Sequence, residues 1–376
     1  MEIYVVKPGD TAASIAADTG VPLSSILFNN QLTYPYRLAV GEALLISYDG
    51  DENRQVITTN GYAYPHINQD TLRQALPYMS ALSIFSYGFT TEGGLIQPRL
   101  DDTFLINLAK SYNSRPVLTL TPIDASGTFN NNLITALVHN PEAIARLIEE
   151  LGVQITSRGF EGIDIDFEYI LPTDRVAFAE FVAAVRRSIN ALGFPVSVAL
   201  APKTSDNQKG LLYEGKDYAL LGEAANSVLL MTYEWGYTYS VPMAVAPVNK
   251  VREVVEYALT RIPAEKIDLG VPNYGYDWPL PYVSGTTRAT SIGNLTARER
   301  AVSNGAAIQF DETAKSPWYT YQKDGISHEV WFEDVRSYQA KFALVTEYGL
   351  RGIGFWQLMR PNLPGFLLMS GTFWIQ

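Results

Sequence analysis

Strand-length apolar runs alternate along this chain with longer stretches whose apolar residues recur at helical spacing. The runs fall at residues 59–62, 81–87, 116–121, 162–168, 196–201, 227–233, 267–271 and 352–356. Signals such as Asn140-Pro141 open the intervening helical stretches, and others such as Gly193 close them. Eight strands alternating with helices over about 320 residues predict an α/β fold of the (β/α)8 barrel type, which occupies about 250 residues plus insertions. The surplus falls between the last two strands. Residues 276–333 hold a helix-like piece and short aromatic strands that turn at Asp324-Gly325, which predicts a small α+β insertion walling one side of a cleft. A doubly wound open sheet suits the pattern less well, because no glycine-rich phosphate loop follows the first strand. The first 47 residues form a unit of their own: a strand at 3–6, a capped turn at Pro8-Gly9-Asp10, helices at 11–17 and 23–29, and a closing strand at 43–46. Polar residues 48–55 predict a linker, leaving 56–376 for the barrel.

The fourth run carries acids where its strand pattern calls for alternation. Asp164, Asp166 and Glu168 share one face and Ile163, Ile165 and Phe167 the other. Crowded, enclosed carboxylates raise the pKa of at least one of them, and a proton donor working near neutral pH needs that environment. A metal site or a structural salt-bridge strand could share this spacing. A metal, however, would normally recruit histidine, and His66, His139 and His328 are scattered without ligand spacing. At the ends of the other strands stand Tyr62, Tyr87, Asp124, Tyr233 with Glu234, Tyr274 and Trp356. Active sites of such barrels lie at that end, and an acid within a ring of aromatics describes a sugar site.

Composition narrows the partner. The net charge of −11 has no compensating basic block, which argues against nucleic acid or an anionic membrane. Twenty-three Tyr, 16 Phe and 6 Trp offer stacking faces for an uncharged polymer. Cysteine is absent, which excludes a thiol nucleophile and a disulfide framework. The start MEIYVVKPGD lacks the basic and long apolar regions of a secretory leader, and the apolar stretch 365–375 is too short to span a bilayer. Synthesis in the cytoplasm is the expectation.

The first unit, with Tyr4, Gly9-Asp10-Thr11, Ile15-Ala16, Ile26, Asn29, Leu32, Leu38, Gly41, Leu44 and Ile46, resembles a LysM domain. That resemblance implies binding of N-acetylglucosamine glycans through Gly9, Asp10, Thr11 and Leu32. Asp164-x-Asp166-x-Glu168, Met231-Thr232-Tyr233 and Trp356 resemble glycoside hydrolase family 18 across residues 56–376. Departures are Glu161 at the first acid of the usual signature, Phe167 where Trp is frequent, and Glu234 where Asp is common. The resemblance implies retaining, substrate-assisted hydrolysis with Glu168 as acid/base, Asp166 orienting the substrate acetamide, Asp164 sharing a proton with Asp166, and Tyr233 bonding the acetamide oxygen. Trp356 would floor the reacting subsite, and no metal or cofactor is required. A LysM unit on such a barrel is similar to spore-associated peptidoglycan N-acetylglucosaminidases of endospore formers, many of which carry two LysM units. The expected partner is therefore peptidoglycan or another N-acetylglucosamine polymer, met in the spore envelope. A chitinase is the near alternative. A non-catalytic lectin is the distant one, and the intact Glu168 argues against it.

Overall fold

The computed structural model describes residues 1–50 and 52–376, so Asp51, within the expected linker, lies outside the described residues. In the first unit β1 (Glu2–Val5) pairs antiparallel with β2 (Ala43–Ser47), and α1 (Ala12–Thr19) and α2 (Leu23–Asn29) lie between them in sequence. The cap of α1 is Thr11 and not Asp10: Thr11 Oγ1 accepts from Ser14 N at 3.0 Å, and Ser14 Oγ accepts from Thr11 N at 2.9 Å. Asp10 instead closes the preceding turn, accepting from Lys7 N at 2.7 Å and from the Tyr4 hydroxyl at 2.9 Å. Val6, Ala12, Ile15, Ile26, Leu32, Leu44 and Ile46 form the core of the unit.

The chain continues through β3 (Val56–Ala63), α3 (Gln69–Ala75), β4 (Ala81–Phe89), the short β5 (Leu95–Ile96), α4 (Thr103–Ser111) and β6 (Arg115–Leu120). Next come α5 (Asn132–Val138), α6 (Pro141–Arg158), β7 (Ile163–Ile165), α7 (Arg175–Ala191), β8 (Val196–Leu200), α8 (Tyr218–Ala224), β9 (Ser227–Leu230), α9 (Val248–Leu259) and β10 (Ile267–Pro272). Asn140 does cap α6, its Oδ1 accepting from Ala143 N at 3.2 Å with Pro141 in the first turn. An insertion follows: β11 (Gly275–Leu280), β12 (Thr290–Ile292), α10 (Asn294–Ser303), β13 (Gln309–Asp311), β14 (Ser316–Lys323) and β15 (Ile326–Trp331). The chain ends with α11 (Val335–Tyr348), β16 (Gly352–Trp356), α12 (Leu363–Thr372) and β17 (Trp374–Ile375).

Strands β3, β4, β6, β7, β8, β9, β10 and β16 pair in parallel in that order, and β16 pairs back onto β3 to close the barrel. The insertion is a separate antiparallel sheet in the order β12-β11-β15-β14-β13. Its β14–β15 hairpin turns at Asp324 (φ 51°) and Gly325 (φ 77°), the left-handed pair that a two-residue hairpin requires. The apolar C-terminal segment packs as α12 and β17, with Trp374 opposite Val56, and among the described residues no helix is long and apolar enough to cross a membrane.

The first unit is docked against the barrel and not merely tethered to it. Arg298 of α10 donates to the carbonyls of Asn30 at 2.6 Å and Gln31 at 3.3 Å, and its Nε lies 3.6 Å from Glu42. Ile308 N donates to Val40 O at 2.8 Å, Leu363 N to Gln31 Oε1 at 2.9 Å, and Arg336 to Gly41 O at 3.2 Å. Leu45 joins the main core, and Ala39 the core of the insertion. The segment before β3 is packed too, since Arg54 donates to Ser370 O at 2.5 Å and stacks 3.7 Å over the Trp374 ring.

Candidate active site

Regular pairing of β7 ends at Ile165, yet Asp166 N still donates to Leu120 O at 2.9 Å, so the strand-like alternation persists beyond the strand. Ile163, Ile165 and Phe167 are buried in the core, with Phe167 stacked between Phe89, Phe178 and Phe181 at 5.3–5.8 Å. That packing fixes the opposite face. There Asp164 is sealed beneath the site, accepting from the Tyr62 hydroxyl at 2.8 Å and Ser197 Oγ at 2.6 Å. Asp166 and the half-buried Glu168 line a cavity of about 260 Å³ together with Tyr62, Tyr233, Glu234 and Trp356, and Met231 adds an apolar wall. Asp166 Oδ1 is buried and finds no hydrogen-bond partner among the described residues.

Burial governs how the acids titrate. It pushes Asp166 well above the usual carboxylate range, reinforced by the charges of Glu168 and Asp164. Glu168 is also raised by burial, against an opposing pull from Lys216. Asp164 rises less freely, because the hydrogen bonds from Ser197 and Tyr62 favour its charged form. Burial and then the neighbouring acids hold Tyr62 and Tyr233 far above the ordinary phenol value, so both remain hydroxyl donors. All three acids are thus shifted toward the protonated form, Asp166 most strongly.

Glu234 borders the cavity with part of its surface open to solvent, its carboxylate turned inward. Its backbone lies in the left-handed region (φ 69°), a conformation that costs a non-glycine residue about 1–2 kcal/mol. The turn aims its carboxylate at the buried hydroxyls of Tyr274 (2.5 Å) and Tyr276 (3.1 Å), and burial raises its pKa despite those two bonds. Trp356 contacts the Tyr62 ring at 5.5 Å and Phe85 at 5.1 Å, and Tyr64 lies 5.1 Å beyond Phe85.

Two residues expected here are elsewhere. The register of β4 against β6 shifts between Ile84 and Tyr87, so Phe85 packs on Trp356 while Tyr87 turns into the core, donating to Asp102 at 2.7 Å and accepting from Gln154 at 3.3 Å. Asp124 closes an exposed turn, accepting from Ser126 N at 2.9 Å and Ser126 Oγ at 2.5 Å, and borders a neighbouring cavity with Tyr64, His66 and Arg99. In the first unit Gly9, Asp10 and Thr11 share one surface loop, Gly9 at φ 89° with open space around it. Leu32 is largely buried in that unit's core, and its remaining exposed edge borders a cavity with Thr33, Tyr34 and Arg37. Sequence reasoning missed Ser197, Phe85, Tyr64 and Tyr276, which sit among similar residues without a distinguishing spacing. It also missed Lys216, a fully buried lysine in the loop after β8 whose sequence surroundings, Glu-Gly-Lys-Asp-Tyr, read as a solvated turn.

Residues 126–360 match the profile of glycosyl hydrolases family 18, and residues 4–47 that of the LysM domain. The chain belongs to glycosyl hydrolase family 18. This family 18 hydrolase is 37% identical to the cortical fragment-lytic enzyme of Bacillus subtilis (strain 168), over 99% of this chain and 98% of that protein. It is 34% identical to the putative sporulation-specific glycosylase YdhD of the same organism, over 100% and 88%. Among solved structures, the Bacillus megaterium QM B1551 spore cortex-lytic enzyme SleL superposes with a TM-score of 0.82 at 34% identity, covering 100% of this chain and 87% of that one. The chain is accordingly a glycoside hydrolase with a LysM unit.

Proposed function

We propose that this hydrolase cleaves the β-1,4 bond following N-acetylglucosamine in peptidoglycan, acting on spore cortex or its fragments in the spore envelope of an endospore former, by a retaining, substrate-assisted route. The observation that carries the reading is Asp166: a buried carboxylate oxygen without a partner, lining the cavity beside the half-buried Glu168. An unsatisfied buried acceptor is costly, and a substrate N–H placed there satisfies it. The 2-acetamido group of N-acetylglucosamine supplies that N–H next to the reacting carbon.

Glu168 donates its proton to the glycosidic oxygen as the C1–O bond breaks, and the leaving sugar departs neutral. The acetamide carbonyl oxygen, polarised by Asp166 through the N–H, forms the bond to C1 and leaves an oxazolinium ion. Water then adds to C1, giving its proton to the Glu168 carboxylate and re-forming the acetamide. Tyr233, held as a hydroxyl, donates to the acetamide oxygen, and Trp356 stacks on the sugar face. Asp164 supports Asp166 from below with its charge anchored by Tyr62 and Ser197.

Digestion of purified cortex peptidoglycan followed by mass spectrometry of new reducing ends tests this. N-acetylglucosamine ends are expected. Muramic acid ends overturn the bond assignment, and cleavage of chitin alone moves the substrate to chitooligosaccharides. A thiazoline analogue of N-acetylglucosamine should inhibit competitively; equal turnover of glucose and N-acetylglucosamine glycosides would demand a protein nucleophile.

A further inference from the structure

Beneath the acid cluster lies a cation that the reaction described above leaves unused. Lys216 is completely buried, on the loop between β8 and α8. Its ammonium donates to the carbonyl of Ala199 at 2.9 Å and to the carbonyl of Phe167, the peptide lying between Asp166 and Glu168. It reaches no carboxylate by a direct hydrogen bond among the described residues, yet it is the cation whose field acts on Asp164, Asp166 and Glu168 alike. The loop holds it from behind: the ammonium of a second buried lysine, Lys203, donates to the carbonyl of Lys216 at 2.8 Å, and Lys203 N donates to the Tyr218 hydroxyl at 3.0 Å. On the α7 side the Phe178 ring lies 5.7 Å from the ammonium, and the Asp217–Arg175 pair flanks the loop.

We propose that Lys216 is a positioning residue that fixes the proton count of the catalytic acids: its buried ammonium keeps a negative charge among Asp164, Asp166 and Glu168 while Glu168 retains its proton, and its bond to the Phe167 carbonyl holds the segment carrying both. The inference rests on the reading of the reaction just given. A charge of that sign is what a cationic oxazolinium needs beneath it, and a proton on Glu168 is what the leaving oxygen needs above. Three enclosed carboxylates without a cation would all drift to the neutral form, because burial penalises each ionisation. A salt bridge made directly to one acid would fix the charge on that residue alone. Placing the ammonium on carbonyls leaves its field shared. Burial in turn draws Lys216 down to about 8, partly offset by the three acids, so the arrangement holds over neutral pH and fails as the lysine deprotonates.

The test begins without substrate. Carboxyl 13C chemical shifts of the acids and the 13Cε shift of Lys216 are followed against pH in the full-length protein, in Lys216→Met and in Lys216→Gln, which keeps a donor but no charge. Both variants should raise the titration midpoints of the cluster by about one pH unit or more. By reciprocity, Asp164→Asn, which removes a negative charge and leaves Lys216 in place, should lower the Lys216 midpoint. On a soluble N-acetylglucosamine glycoside both lysine variants should lose about 10-fold or more in kcat with KM little changed, and their alkaline limb should move upward as Glu168 holds its proton longer. Unmoved midpoints in folded Lys216→Gln, or recovery of kcat and pH profile by that variant, overturn the inference. If both lysine variants fail to fold, an unmoved Lys216 midpoint in Asp164→Asn does the same. A wild-type protein inert on every N-acetylglucosamine substrate would sink the functional reading instead, while the midpoints would still judge Lys216.

Discussion

Two places in this molecule bury acids beside a cation and leave a carboxylate oxygen unpartnered, and they behave oppositely. At the seam between the LysM unit and the barrel, Glu333 meets Lys341 at 2.8 Å with both side chains fully buried, and Glu42 faces Arg298 at 3.6 Å. Each acid has its own cation. At the barrel mouth three acids share Lys216, whose bonds go to backbone carbonyls. One-to-one pairing makes charge structural, since removing either partner strands the other. Under-compensated charge makes protons mobile, because the cluster can hand one over and remain bound together. Burial is common to both sites; the ratio of acids to cations separates a clamp from a catalyst.

The sharpest way to break the contrast is at Glu168. Glu168→Gln keeps the shape and removes the proton, so turnover should fall by about 100- to 10,000-fold with stability nearly unchanged. A stability loss larger than the activity loss would place Glu168 with the clamp. Conversely, Lys341→Met strands Glu333 and should cost about 3–5 kcal/mol in denaturant unfolding, with kcat of the folded fraction preserved. Should the unfolding midpoint stay put, the seam pair is dispensable.

Acid pH separates the two again. Burial raises Glu42 from 4.5 to about 7, offset by Arg298 and by the bond from Ala39 N at 3.0 Å. A raised carboxylate pKa means the folded state holds the proton more tightly than the unfolded chain. The stabilisation is therefore full below about pH 4.5 and lost as pH rises through about 7. Thermal melting across that window should fall more steeply for wild type than for Glu42→Gln, a difference of up to about 3 kcal/mol at 1.36 kcal/mol per pH unit. Parallel curves would mean that Glu42 stays ionised. The smallest effect is expected from Tyr62→Phe, which leaves Asp164 with Ser197 alone: about 1 kcal/mol of stability and roughly 10-fold in kcat. Loss of stability without any change in kcat or its pH profile would make Tyr62 a packing residue.

What was legible follows from what leaves a periodic trace. The barrel and the acid face were visible because alternation survives in sequence even where regular pairing stops after Ile165. The hairpin at Asp324-Gly325 was visible because its turn demands residues that tolerate positive φ. Tyr87 went astray because a register shift inside β4 is a two-strand property, silent in either strand alone. Asp124 was misplaced because a strand end does not say which way the loop beyond it folds. Lys216 left no signal, since a lone lysine beside Gly215 and Asp217 is indistinguishable from a surface turn until three acids arrive above it. The seam was invisible for a similar reason: Arg298 and Asn30 are far apart in sequence and meet only through docking.

The last strand also bears on synthesis. Strand β3, the first of the barrel, is completed by β16 on one side and by β17, whose Trp374 and Ile375 face Val56 and Ile57; Gln376 N donates to Ile57 O at 3.0 Å. Two of its three partner strands are therefore made only after the rest of the barrel. At about 5–20 residues per second, the edge of β3 waits tens of seconds with its neighbour unmade. Throughout that interval the barrel is open and Trp356 is missing from the cavity wall. A chain stopped before β16 is an open barrel whose cavity lacks Trp356, so the cavity wall is complete only once that strand has been made.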